Sequence, residues 1–164
     1  MESLILLFTS GIIMHLSARK LQRYQIPFAK VSFLSHTPKF KINSTKSGDK
    51  IYYQFYDIEN TTYGIISIYM AERHSLDNAG KILLKYLQMI RKPLGIVATY
   101  KIEKCQNGKD DVSEFVDYWQ DEEGKDWKVK AYTNGRVISI LYVKNIGNTS
   151  VKDHDKFLNG LRFS

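Results

Sequence analysis

Asn134-Gly135 lies between two runs of strand periodicity, and the stretch around it, Phe115–Val143, constrains the fold of this chain more than any other. Trp127, Val129 and Ala131 alternate with Lys128, Lys130 and Tyr132. A period of two predicts a strand with one face buried and one face wet. Asn-Gly between strand-like runs is the strongest short-range hairpin signal, because a type I′ turn needs positive φ at both central residues. Asp121–Asp126, with Gly124 inside it, predicts a longer polar turn on the other side. The stretch reads as a three-stranded antiparallel meander. On this face assignment Trp127 belongs to the core, and Lys128→Ala is nearly silent.

With 164 residues the chain is expected to form one domain with a hydrophobic core of its own. Eleven Tyr and eight Phe, many of them in strand-like runs, favour β-rich structure. The net charge of +7 is unevenly spread. From Arg19 to Lys50 there are eight Lys or Arg and one acid; from Lys101 to Asp126 there are four Lys and nine acids. A basic front suits an anionic partner or a membrane surface, and it equally suits strand edges kept soluble by lysine. Lysines scattered at strand spacing give no specific nucleic-acid signal. Cys105 is the single cysteine, so no internal disulfide and no cysteine-based zinc site can form.

Residues 1–18 carry an apolar run from Leu4 to Met14 followed by small residues. Its length suits the core of a secretory signal and is short for a bilayer span. The segment is expected to be a cleaved or anchoring export signal, placing the protein in the periplasm, the cell envelope or the medium. Glu2 ahead of the run, and bulky Leu16 three residues before a cut after Ala18, keep open an N-terminal strand or helix of a cytoplasmic domain. Removal of residues 1–18 takes only Glu2 among the charged residues and leaves +8. Residues 19–27 read as a linker or the start of the fold, and residues 28–164 as a single α+β domain.

Within that domain, Phe28–Leu34 predicts a first strand, ended at His36-Thr37-Pro38 because proline cannot donate to a ladder. Phe40–Asn43 predicts a short second strand and Ser44–Asp49 a turn. Ile51–Tyr56 and Tyr63–Met70 predict a tyrosine-rich hairpin joined by the loop Asp57–Thr62. Cross-strand packing is the ordinary use of Tyr52, Tyr53, Tyr56, Tyr63 and Tyr69; a stacking surface for bases or sugars is the alternative. Ser75–Arg91 predicts an amphipathic helix: Ser75 caps it, Asp77 sits in its first turn, and Leu76, Ala79, Leu83, Tyr86, Leu87 and Ile90 form one apolar stripe. Pro93 ends it. Gly95–Glu103 predicts another strand. Ser150 with Asp153 reads as a capping box opening a short terminal helix, whose stripe is His154, Phe157, Leu158 and Leu161. The expected sheet has about six to seven strands.

No catalytic, cofactor-binding or metal-ligating residue is assigned. The acids Asp110, Asp111, Asp117, Asp121, Glu122, Glu123 and Asp126 lack the spacing of a calcium loop, and 121–126 reads as a solvated hairpin loop. Asp153, His154 and Asp155 point about 100° apart on a helix and cannot converge, so His154 reads as structural. His36 and His74 fall at element boundaries, and only tertiary structure can bring them together. The chain has no phosphate loop, no dinucleotide fingerprint, no Gly-x-Ser-x-Gly elbow and no HExxH helix.

The order of strand, proline break, tyrosine-rich hairpin, amphipathic helix, further strands and terminal helix resembles the PsbP-like fold. The residues that carry the resemblance are Val31-Ser32-Phe33 with Pro38, and the closing Phe157-Leu158-Asn159-Gly160-Leu161-Arg162-Phe163. It spans about Ile26 to Phe163. That fold is an antiparallel sheet between helices, and it serves photosystem accessory proteins, a Ran-binding nuclear transport factor and many bacterial envelope proteins. The resemblance implies a non-enzymatic accessory or interaction domain with a protein or membrane-associated partner and no cofactor. A small-molecule-binding domain with a pocket between sheet and helices is the alternative, followed by an enzyme with an unrecognised site.

Overall fold

Strand periods with both phases apolar produce a sheet that must be covered on both faces. In the computed structural model, which describes residues 14–16, 20–100, 102–105, 111–146 and 151–164, five long strands form the centre. They are β5 (Lys50–Ile58), β6 (Thr61–Tyr69), β9 (Ser113–Asp121), β10 (Asp126–Thr133) and β11 (Val137–Lys144), in the order β5-β6-β11-β10-β9, every neighbouring pair antiparallel. Each border strand is flanked by two short ones. β4 (Lys41–Ser44) pairs antiparallel with one end of β5, and β1 (Met14–Leu16) pairs parallel with its other end. β7 (Ile96–Thr99) and β8 (Glu103–Cys105) divide the outer side of β9 in the same way. The fold is α+β, and among the described residues its main sheet has nine strands rather than the six to seven expected. Gly95–Glu103 accounts for part of the difference, because it breaks into β7 and β8.

Helix α1 (Leu76–Arg91) covers one face. Ser75 Oγ accepts the amide of Asn78 at 3.3 Å, as the predicted cap requires, and Ala79, Leu83, Leu87 and Ile90 are buried. Each of the two leucines contributes roughly 2 kcal/mol of burial. They belong to one buried core with Ile66, Ile68, Phe115, Trp119, Trp127, Val129 and Ile140. Gly80 is buried opposite Phe115, whose ring edge lies 3.6 Å from where a Cβ would stand.

The other face carries helix α2 (Val151–Leu158) and a small antiparallel sheet, β12 (Arg162–Phe163), β3 (Val31–Ser35) and β2 (Gln22–Ile26). Its core joins Ile26, Val31 and Phe33 to Tyr52, Tyr56, Tyr63, Ile65, Leu141, Phe157 and Leu158. Two expectations change here. Residues 22–26, read as linker, form β2, because Tyr24 lies against Phe33 (centroids 6.2 Å apart) and Ile26 is buried. The face of Lys128, Lys130 and Tyr132 is not wet. α2 covers it: Lys128 pairs with Asp155 at 3.0 Å, Lys130 donates to Asn159 Oδ1 at 2.6 Å, and the buried Tyr132 hydroxyl donates to the Leu158 carbonyl at 2.6 Å. Lysine stems lie along apolar surface while their ends stay polar, so alternation alone misjudges such a face.

The hairpin turn also differs from expectation. Positive φ occurs at Gly135 (+86°) and not at Asn134. Asn134 donates to the Val137 carbonyl at 3.4 Å, leaving Gly135 and Arg136 as the two central residues, with glycine first as in a type II′ turn. Asn134 Oδ1 instead accepts the amides of Arg136 and Val137 at 3.0 and 2.9 Å. The slip of one residue takes Arg136 out of the strand and puts it in the turn. The export-segment reading of residues 1–18 otherwise falls outside the described residues, save that Met14–Leu16 runs beside β5. Among the described residues no helix is long and apolar enough to cross a membrane.

Candidate functional site

The basic front and the acidic back have different fates in the fold. Several of the acids are paired within it. Asp117 accepts Arg91 at 2.7 Å and the Trp119 indole N–H; Asp121 accepts the Trp127 indole at 3.0 Å and Lys144 at 3.1 Å; Glu114 pairs with Lys130. Burial alone would raise the Asp121 carboxyl, but hydrogen bonds from Trp127, the Lys125 amide and Lys144, with the charge of Lys144, hold it below the ordinary value. The solvated loop expected at 121–126 therefore begins with a buried anchor. Only Glu122, Glu123, Gly124 and Asp126 within it are exposed, and Lys125 is half-buried.

The lysines of the front stay outside. β4 is exposed along its whole length, and Lys39, Lys41 and Lys46 form no ion pair among the described residues. Phe40 and Ile42 are 41% and 44% exposed, two residues apart on the same strip. Phe40 lies with its ring 4.7 Å from that of Tyr52. The inner side of β4 pairs with Lys50–Tyr53 of β5, and among the described residues no strand pairs with its outer side.

A buried polar network sets the path into this edge. Ser35 Oγ donates to Gln54 Oε1 at 2.6 Å, and Gln54 Nε2 donates to the carbonyls of Thr37 and Lys39 at 2.8 and 2.6 Å. His36 Nδ1 lies 3.0 Å from the Tyr56 hydroxyl. Gln54 thus replaces the ladder that Pro38 cannot complete, and delivers the chain to β4 in a fixed register. The tyrosines pack across strands, as their ordinary use predicts: Tyr56 stacks on Tyr63 at 5.4 Å and 12°. His36 and His154 meet the Tyr63 ring edge-on from two sides, at 5.0 and 6.0 Å. Burial lowers the pKa of both imidazoles, with Asp153 acting in the opposite sense. His74 is not brought to His36. It donates its amide to the Gly135 carbonyl at 2.8 Å, strapping the loop after β6 to the β10–β11 turn.

The remaining candidates separate. Asp153 is exposed and Asp155 half-buried, while His154 is buried between them in sequence, so the three do not converge. Asp110 lies outside the described residues. Cys105 is half-buried in β8, where burial pushes its thiol up. No group of three or more His, Cys, Asp or Glu among the described residues is arranged to hold a metal ion. Two open clefts lie at the rims of the sheet. One, about 340 Å³, adjoins Asp121, Glu122, Glu123 and Lys144; the other, about 550 Å³, adjoins the β10–β11 turn and is lined in part by Lys30, Arg73 and Arg136. Sequence reading missed the second cleft. Asn134-Gly135 was a signal for its turn but not for its walls.

A scan against protein-family models finds no match, and a search of curated proteins finds no relative.

Proposed function

We propose that the protein is a non-enzymatic accessory or interaction module that takes a protein partner on the outer edge of β4. Exposed Phe40 and Ile42, with lysines 39, 41 and 46 that form no ion pair among the described residues, carry this reading. An edge strand with open backbone groups accepts an extended segment by strand addition. The partner chemistry that fits is a segment alternating apolar and acidic residues, whose carboxylates meet the lysines and whose apolar side chains cover Phe40 and Ile42.

The PsbP-like reading is part of this proposal. Its support is the order of elements and an antiparallel sheet with α1 on one face and α2 on the other. Export to the envelope or medium is likewise proposed, on the apolar run Leu4–Met14. The test is site-specific photo-crosslinking in the native host, with benzoylphenylalanine at Phe40 or Ile42 and, as a control, at Lys81 on the exposed side of α1. One discrete adduct from the β4 sites, abolished by Lys39→Glu with Lys41→Glu, supports the reading. Adducts of equal yield at Lys81, or none at β4, would overturn it.

A further inference from the structure

The cleft beside the β10–β11 turn is built from segments far apart in the chain. Lys30 closes the β2–β3 turn, Arg73 lies in the loop between β6 and α1, and Arg136 is the second central residue of the β10–β11 turn. Lys30, Arg136 and the neighbour of Arg73 are held by their backbones. Lys30 has φ +45°, and its carbonyl accepts the Ser164 amide at 2.8 Å. Arg136 gives its carbonyl to Met70 at 3.0 Å, and its neighbour Gly135 is strapped to His74, next to Arg73. Added bulk at Gly135 is excluded, because a Cβ would stand 2.4 Å from the His74 carbonyl oxygen.

The aromatic groups of the cleft form a ladder with these cations. The Arg136 guanidinium lies 4.7 Å from the Tyr69 ring centroid, Phe28 meets Tyr69 edge-on at 6.1 Å, and Lys50 Nζ lies 5.4 Å from the Phe28 centroid. Phe163 completes the apolar wall. A guanidinium held over a ring can still turn N–H groups outward to bond an oxyanion bidentately. Arg73, Arg136 and Lys30 form no ion pair among the described residues, and Asp111 is the one acidic side chain lining the cleft. Among the described residues three cationic side chains and one acidic side chain line the cleft, which suits an oxyanion, and the three acceptor oxygens of a phosphomonoester give each cation a partner. From this geometry we infer that the cleft binds a small phosphomonoester attached to a planar, apolar body. The phosphate sits among Arg73, Arg136 and Lys30, and the body lies against Phe28, Tyr69 and Phe163.

The inference is independent of the β4 edge. Its test is titration of the full chain with phenyl phosphate, inorganic phosphate and benzyl alcohol, followed by amide chemical shifts and calorimetry. Phenyl phosphate is expected to bind at least tenfold more tightly than either fragment and to shift the amides of Ala29, Gly135 and Arg136. Arg136→Gln and, separately, Arg73→Gln are each expected to weaken it about 10- to 100-fold, the range of a lost charged hydrogen bond. Lys81→Gln is expected to leave it unchanged. Equal affinity for phenyl phosphate and inorganic phosphate, or affinity untouched in both arginine variants, would overturn the inference. A preference for benzoate over phenyl phosphate would overturn the phosphate assignment.

Discussion

Gly64 lies directly beneath the ring of Tyr142: a Cβ built on Gly64 would stand 2.1 Å from Tyr142 Cζ. Gly64 pairs with Tyr142 on one side and Phe55 on the other, and the two rings stack across it at 6.1 Å and 25°. A glycine inside a strand is ordinarily a weakness. Here the missing side chain is the space the aromatic pair occupies. Gly64→Ala is expected to destabilise by about 2–3 kcal/mol, the upper range for overpacking a filled core. In a Tyr142→Leu background most of that cost should vanish. Equal costs in both backgrounds, measured by urea unfolding, would show that the ring is not what Gly64 makes room for.

Trp127 and Asp121 act together. Trp127→Ala should cost about 3–5 kcal/mol as a truncated buried aromatic. Asp121→Asn should cost about 2–4 kcal/mol at pH 7, since it removes the charge and one of the two oxygens that between them accept the Trp127 indole, Lys144 and two loop amides. The Asp121 carboxyl is held below its unfolded value, so its contribution is full above about pH 4 and is lost as pH falls through the folded pKa. The asparagine variant should therefore show a flatter acid limb below pH 4. An acid limb identical to that of the parent protein would place the acid sensitivity elsewhere.

His36 and His154 govern the milder range. Both are held neutral by burial, with folded pKa values below the ordinary 6.5. The unfolded chain takes up protons first, so stability is complete above about pH 6.5 and declines as pH falls toward the folded values. The urea midpoint should drop between pH 7 and pH 5.5. His154→Phe should reduce that slope, and adding His36→Asn should reduce it further. A slope that survives both changes would exclude the pair as its source.

Lys130 and Lys128, adjacent on one face, should respond differently. Lys130→Ala removes the ammonium that pairs with Glu114, 6% exposed, and should cost about 2–4 kcal/mol. Lys128→Ala breaks a more open pair with Asp155 and should cost at most about 1 kcal/mol. Comparable losses in thermal unfolding would mean that α2 leans on both lysines alike.

Legibility followed the range of the cause. Helix α1 was readable because Ser75, Asp77 and the leucine stripe act within a few residues of one another, and the meander because its alternation is local. The turn was displaced by one residue because the Asn134 side chain bonds the next amides instead of letting its own backbone turn left-handed. The covered face of β10 was hidden because its cover, α2, lies some twenty residues further on and meets lysine ends. The phosphate cleft was the least legible. Phe28 was assigned to a strand, Tyr69 to a hairpin and Arg136 to the start of β11, and no periodicity links Lys30 to Arg136.

The paired short strands on both borders of the main sheet have a consequence for association. β1 and β8 offer three residues each, β4 and β7 four each, and each flank changes strand partway along. Among the described residues an incoming chain therefore finds only a few consecutive rungs on either flank. Templated fibre growth, which needs long uninterrupted ladders, is starved at both sides. A brief visitor is not. Complexes formed at these flanks should exchange quickly, with lifetimes set by the side chains that flank the rungs rather than by the rungs themselves.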